Sequence, residues 1–128
     1  MQELDGSRDG DDGYWFEGLA DLSGTVFPDV LLDRVMANLT GAEFKVLAYI
    51  VRRTIPFKRG CDTISLEQIC GGVRDRDGAV VDAGTGLSKK TAIAALKGLH
   101  DKGVIIAHKR TGKDNLPTAL SLRFKDSD

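Results

Sequence analysis

The chain has 128 residues, 29% of them charged and 41% apolar, and a formal net charge of −1. That is one domain's worth of sequence, long enough to bury a core without disulfide or metal staples. No apolar run approaches the roughly 18 residues of a membrane span, and the N-terminus lacks the basic-then-apolar order of a secretion signal. The expectation is therefore a cytoplasmic protein with no membrane partner. Cys61 and Cys70 give no disulfide framework and read as small buried side chains.

The near-neutral total hides an uneven distribution. Residues 1–24 carry seven acids against Arg8 alone, whereas residues 25–128 carry seventeen Lys and Arg against twelve acids. Within residues 87–113 seven cations face Asp101 alone. A polyanion meets that local excess, not the total.

In chain order, residues 1–25 read as an acidic, flexible arm, because residues 1–13 are rich in Gly, Asp and Ser and show no periodicity. Two roles stay open for it, a passive tail or a competitor of nucleic acid for a basic face. Tyr14, Trp15 and Phe16 form an aromatic cluster that can pack on the domain or on a partner. From Val26 the pattern becomes regular: Pro28 suits the first turn of a helix, and Val30, Leu31, Val35, Met36 and Leu39 recur at helical spacing. Thr40 and Glu43 form a capping box that opens a second helix. Phe44, Val46, Leu47, Ile50 and Val51 make its apolar side, and it ends near Arg52-Arg53-Thr54, before Pro56. Thr63-Ile64 fits a very short strand, and Ser65 caps a third helix over residues 66–70 that Gly71-Gly72 closes.

Residues 71–86 exceed the ~3–4 residues of an ordinary helix-turn-helix turn. They read as an inserted loop or small hairpin turning at Asp77-Gly78. Asp75, Asp77 and Asp82 lack the EF-hand spacing and its closing glutamate, and Arg74 and Arg76 interleave with them. The run Gly84-Thr-Gly-Leu-Ser-Lys lacks the spacing of a phosphate loop. No metal and no cofactor is expected here.

Ser88 reads as the N-cap of a fourth helix in which Ala92, Ala95, Leu96 and Leu99 fall on one side at i, i+3, i+4, i+7. Lys90, Ile93, Ala94, Lys97 and Asp101 fall on the other side. Lysines on a helix usually mark only a solvated face. An apolar Ile93 and a small Ala94 between lysines suit close approach to a groove: Ile93 can meet a thymine methyl, and Lys90 and Lys97 can reach phosphates or guanine edges. Ser88 and Lys89 stand at the helix N-terminus, a phosphate-binding position. After Gly103, residues 104–110 and 118–124 read as two strands of a hairpin, with Leu120, Leu122 and Phe124 on one face. Lys109, Arg110 and Lys113 at its turn are placed to touch backbone phosphate or enter a minor groove. A groove-sized helix followed by a basic wing is the requirement of a winged helix-turn-helix.

A family resemblance rests on Val26-Phe-Pro-Asp, Leu32-Asp and Met36, then Glu43-Phe-Lys-Val-Leu and Arg53-Thr54. It continues through Asp62-Thr-Ile-Ser-Leu-Glu-Gln-Ile69 and Thr85-Gly-Leu-Ser-Lys. Over residues 26–124 the chain resembles the N-terminal domain of phage replication protein O and, more widely, the winged-helix replication initiators of phages and plasmids. The helix-and-glycine part is shared with many winged-helix regulators, MarR-like ones included. The resemblance implies an origin-binding domain that recognises repeated duplex sites, often as a homodimer, and partners such as the replicative helicase or its loader. The 71–86 insertion and an end close after the wing depart from that pattern.

An enzyme is not expected. His100 and His108 have no carboxylate or cysteine partner in view, and no short C-x-x-C or H-x-x-x-H pairing joins them to Cys61 and Cys70. The sequence thus predicts a mainly α fold with a small β-hairpin (α+β), a winged helix-turn-helix over residues 26–128 after an arm over residues 1–25. The expected function is sequence-specific binding of double-stranded DNA in replication initiation. A winged-helix transcriptional regulator or a winged-helix protein-interaction module is the alternative.

Overall fold

A computed structural model describes residues 13–57, 62–108 and 118–125. The fold is mixed α and β, with three α-helices and two small antiparallel sheets among the described residues. The helices are α1 (Gly41–Thr54), α2 (Leu66–Gly71) and α3 (Lys89–Asp101). Strands β1 (Asp62–Ile64), β4 (Ile105–His108) and β5 (Thr118–Leu122) form one sheet in the order β1-β5-β4; β2 (Val73–Arg74) and β3 (Val80–Asp82) form the other.

The helix boundaries follow from their caps. The Glu43 N–H donates to the Thr40 hydroxyl at 3.1 Å and the Thr40 N–H donates to Glu43 Oε1 at 2.8 Å, so both arms of the capping box are closed. Ser65 accepts from the Gln68 N–H at 3.0 Å to start α2, and Gly72, at φ +84°, ends it. Ser88 accepts from the Thr91 N–H at 3.2 Å to start α3.

Val46, Leu47, Ile50 and Val51 of α1 meet Ile69 of α2 and Ala92, Ala95 and Leu99 of α3 in one core. Ile64, Ile105, Leu120 and Leu122 close it from the sheet. The central strand β5 pairs Asp62 with Leu120 on one side and Ile105 with Leu122 on the other. Its pairing with β4 is local, whereas its pairing with β1 joins segments 54–58 residues apart, so β1 is added only when the helices have brought it into place.

Two expectations are met only in part. The helix expected from Pro28 is present over residues 29–38, but as a π-helical turn, Leu31–Val35, followed by a 3-10 turn, Met36–Asn38, rather than a regular α-helix. The Met36 N–H donates to the Leu31 carbonyl, one residue further back than an α-helix allows. That wider turn rotates the following residues, so Met36 faces solvent while Leu39 packs against the core; ahead of it Val30 is exposed and Leu31 packs inward. Phe124 also departs from expectation: it lies past the end of β5 and is 70% exposed, while Leu120 and Leu122 stay buried. Residues 13–26 carry no helix or strand, and Tyr14, Trp15 and Phe16 are exposed. Phe27 is the first residue of this region to engage the core, stacked on Phe44 at 5.9 Å between ring centroids.

The insertion is a hairpin rather than a loose loop. Its turn lies where Asp77-Gly78 placed it, with Gly78 at φ +87° and the Asp75 carboxylate accepting from the N–H groups of Asp77 and Ala79, each at 2.9 Å. Val81 is the extra residue of a bulge between the Val73–Asp82 and Arg74–Val80 pairs. The base of the hairpin is fixed at three places. The backbones of Gly72 and Gly84 approach so closely that a side chain on either would overlap the other strand. Thr85 donates from both its N–H and its hydroxyl to the Ile69 carbonyl, at 2.7 Å each. Asp82 accepts from the Tyr49 hydroxyl at 3.1 Å and stands 3.6 Å from the Arg53 guanidinium.

Burial, with Asp82 beside it, pushes the Tyr49 phenol up to about 12. The folded state therefore favours the neutral phenol, and this contribution to stability is present below the ordinary tyrosine range and lost as pH rises through about 12. An ultraviolet titration of phenolate is expected to show a late step near pH 12 that Tyr49→Phe removes. A titration complete near the ordinary ~10 would contradict the buried contact with Asp82.

Candidate nucleic-acid interface

The candidate interface is built on α3. Three residues on one side of this helix, Ala92, Ala95 and Leu99, are buried and fix its rotation. The same rotation turns Lys90, Ile93, Ala94 and Lys97 outward, all exposed. Ile93 keeps 54% of its surface in solvent although it is β-branched and apolar. A single exposed aliphatic residue is ordinary on a protein surface; what sets Ile93 apart is its place between the exposed Lys90 and Lys97 on the outward side of α3.

Each outward cation has a distinct environment. Lys89 stands 3.4 Å from Glu67 at the start of α2, and Lys97 stands 3.2 Å from Asp101 one turn along α3. All four side chains are more than half exposed, and water screens such pairs strongly, so a phosphate can take either lysine from its carboxylate. The backbone N–H of Glu67 itself, and then the Lys89 ammonium, hold the Glu67 carboxyl below its usual range. Lys90 makes no ion pair among the described residues. The Ser88 hydroxyl is engaged in the cap and lies 3.0 Å from the Thr91 hydroxyl.

Lys102 belongs elsewhere. It adds to the cation count of the sequence, but its ammonium donates to Glu43 Oε1 at 2.6 Å and to the Asn38 carbonyl at 2.9 Å. It is tied into the fold and not into the outward face of α3. Lys45, which the sequence did not single out, points the other way. It sits on α1 but donates to the Thr85 carbonyl at 3.2 Å, forty residues on, which brings a cation to the approach of α3. Nothing in local spacing signals that contact, because it depends on how α1 crosses the loop.

The strand β4 leaves α3 through Gly103, at φ +75°, and pairs with β5. His108 Nε2 and the Ser121 hydroxyl are 3.0 Å apart across that pair. Lys109, Arg110 and Lys113, expected at the turn of this hairpin, lie outside the described residues. Among the described residues no group of three or more His, Cys, Asp or Glu side chains is arranged to hold a metal ion. No helix among them is long and apolar enough to cross a membrane.

Chemically, the outward face of α3 offers positive charge, one apolar contact and a small residue that admits close approach. It offers no nucleophile paired with a base. No protein-family model, curated protein or solved structure matches the chain.

Proposed function

We propose that the chain is a winged helix-turn-helix domain that binds double-stranded DNA in a sequence-specific manner, with α3 in the major groove and the β4–β5 hairpin as the wing. The observation that carries this reading is the outward face of α3, where Ile93 and Ala94 are exposed between Lys90 and Lys97 while the opposite side is buried. The antiparallel order β1-β5-β4 around three helices, with β4 following α3 directly, is compatible with that architecture. Ile93 meets a thymine methyl, Lys90 and Lys97 reach base edges or phosphate, and Ser88 with Lys89 holds a phosphate at the helix start. Lys109, Arg110 and Lys113 supply backbone contacts from the wing. The activity is binding rather than catalysis.

The cellular role we assign is origin recognition in replication initiation of the phage or plasmid kind. It rests on the sequence resemblance given above, as do a homodimeric bound state and a helicase or its loader as partner. Selection of bound fragments from random and genomic DNA tests both levels. The reading predicts a single enriched motif, present as repeats within a replication origin. Enrichment at promoters makes the protein a transcriptional regulator, and no enriched motif at all removes sequence recognition.

A further inference from the structure

The inserted hairpin, residues 71–86, adjoins the start of α3. It enters α3 through Thr85-Gly86-Leu87, while β4 leaves α3 through Gly103, so a β-hairpin stands at either end of this helix. The 13 residues of α3 span ~20 Å. A groove-binding helix with a hairpin at each end can hold the duplex backbone on two sides rather than one. The hairpin is also held firmly enough to act as a fixed arm. Thr85 and Gly86 are bonded to the last turn of α2, and Asp82 to Tyr49 on α1.

The hairpin carries Arg74 and Arg76 among three aspartates, each in a different environment. Of its three aspartates, Asp82 is spent on Tyr49 and Arg53, and Asp75 is folded back onto the N–H groups of its own turn. Asp75 and Asp77 are both exposed at the tip, and between them Arg76 is exposed and makes no ion pair among the described residues. Arg74, also exposed, donates to the Gly78 carbonyl and stiffens the same turn. Lys45, bonded to the Thr85 carbonyl, and Lys89, paired with Glu67, place two cations between the root of the hairpin and the start of α3.

We propose that the hairpin β2–β3 is a second backbone clamp, in which Arg76 binds a phosphodiester group of duplex DNA on the flank opposite the wing. This rests on the DNA-binding reading of α3. The test compares wild type, Arg76→Gln and Arg76→Lys on one duplex carrying the selected motif, by salt-dependent anisotropy and hydroxyl-radical footprinting. Arg76→Gln is expected to weaken binding about three- to tenfold at low salt and to lower the log–log salt slope by about 1. It should lose sugar protection at one flank only, and Arg76→Lys should restore it, because a phosphate needs charge rather than a particular donor pattern. Circular dichroism of each variant confirms the fold. If wild type binds and Arg76→Gln keeps both slope and footprint, the hairpin is no clamp and the reading of α3 stands. If wild type binds no duplex, both fall together.

Discussion

Gly98→Ala is expected to destabilise the protein by about 2–3 kcal/mol, although alanine favours a helix interior by ~1 kcal/mol over glycine. The cause is the Glu43 carboxylate. A methyl group at Gly98 would overlap Glu43 Oε2, which lies against the α3 backbone. Glu43 is only 5% exposed, and its other oxygen accepts from both the Thr40 N–H and the Lys102 ammonium. It cannot swing away without opening the cap of α1 and leaving a carboxylate buried and unpaired. Lys102→Met removes the partner instead. Since Lys102 is itself 40% exposed and water can partly replace it, the expected loss is about 1–2 kcal/mol. Pairing Lys102→Met with Glu43→Gln should recover part of that loss, which a double-mutant cycle measures.

The same cluster sets an acid dependence. The Lys102 ammonium, and next the Thr40 N–H, hold the Glu43 carboxyl below its usual range in the folded state. Its contribution is therefore complete at neutral pH and is lost as pH falls through the folded value. In Glu43→Gln the acid limb of stability against pH should be flatter than in wild type. Thermal unfolding at several pH values reads both effects, and a Gly98→Ala variant at least as stable as wild type would contradict the close approach of α1 and α3.

What could be seen in the sequence divides along a physical line. The caps at Thr40, Ser65 and Ser88 were legible because each is a contact over three residues, fixed by local chemistry. The buried side of α3 was legible for the same reason, as was the turn of the inserted hairpin. Illegible were the contacts made across the fold. Lys102 looked like one more surface cation until Glu43, 59 residues away, was placed beside it. Asp82 read as part of an inserted loop or small hairpin, and its role as the tether to Tyr49 and Arg53 depends on α1. The stretch after Pro28 had helical spacing but not an α-helix, because a single turn widened to i→i−5 undoes the phase that spacing implies. Of the candidate site, the face of α3 was read correctly as outward, while Lys45 was missed.

The second large effect concerns discrimination. Lys90→Ala and Ile93→Ala are each expected to lower the ratio of motif-bearing to random duplex affinity by ~1–3 kcal/mol, about 5- to 150-fold, because a base contact carries sequence information. Lys109→Ala and Lys113→Ala should instead weaken all duplexes about equally. Both side chains on α3 are exposed and lie outside the core cluster, so the variants are expected to fold normally. Proportional loss on both duplexes in the α3 variants would mean that this helix is not reading bases.

The most direct measurement is equilibrium binding of the full chain to duplex DNA as salt is raised from dilute to physiological. The proposal that α3 and the β4–β5 hairpin hold duplex DNA predicts about 4–5 phosphates contacted and thus a log–log slope of roughly −4. Binding that is absent in dilute buffer, or that does not change with salt, would contradict DNA as the partner of α3.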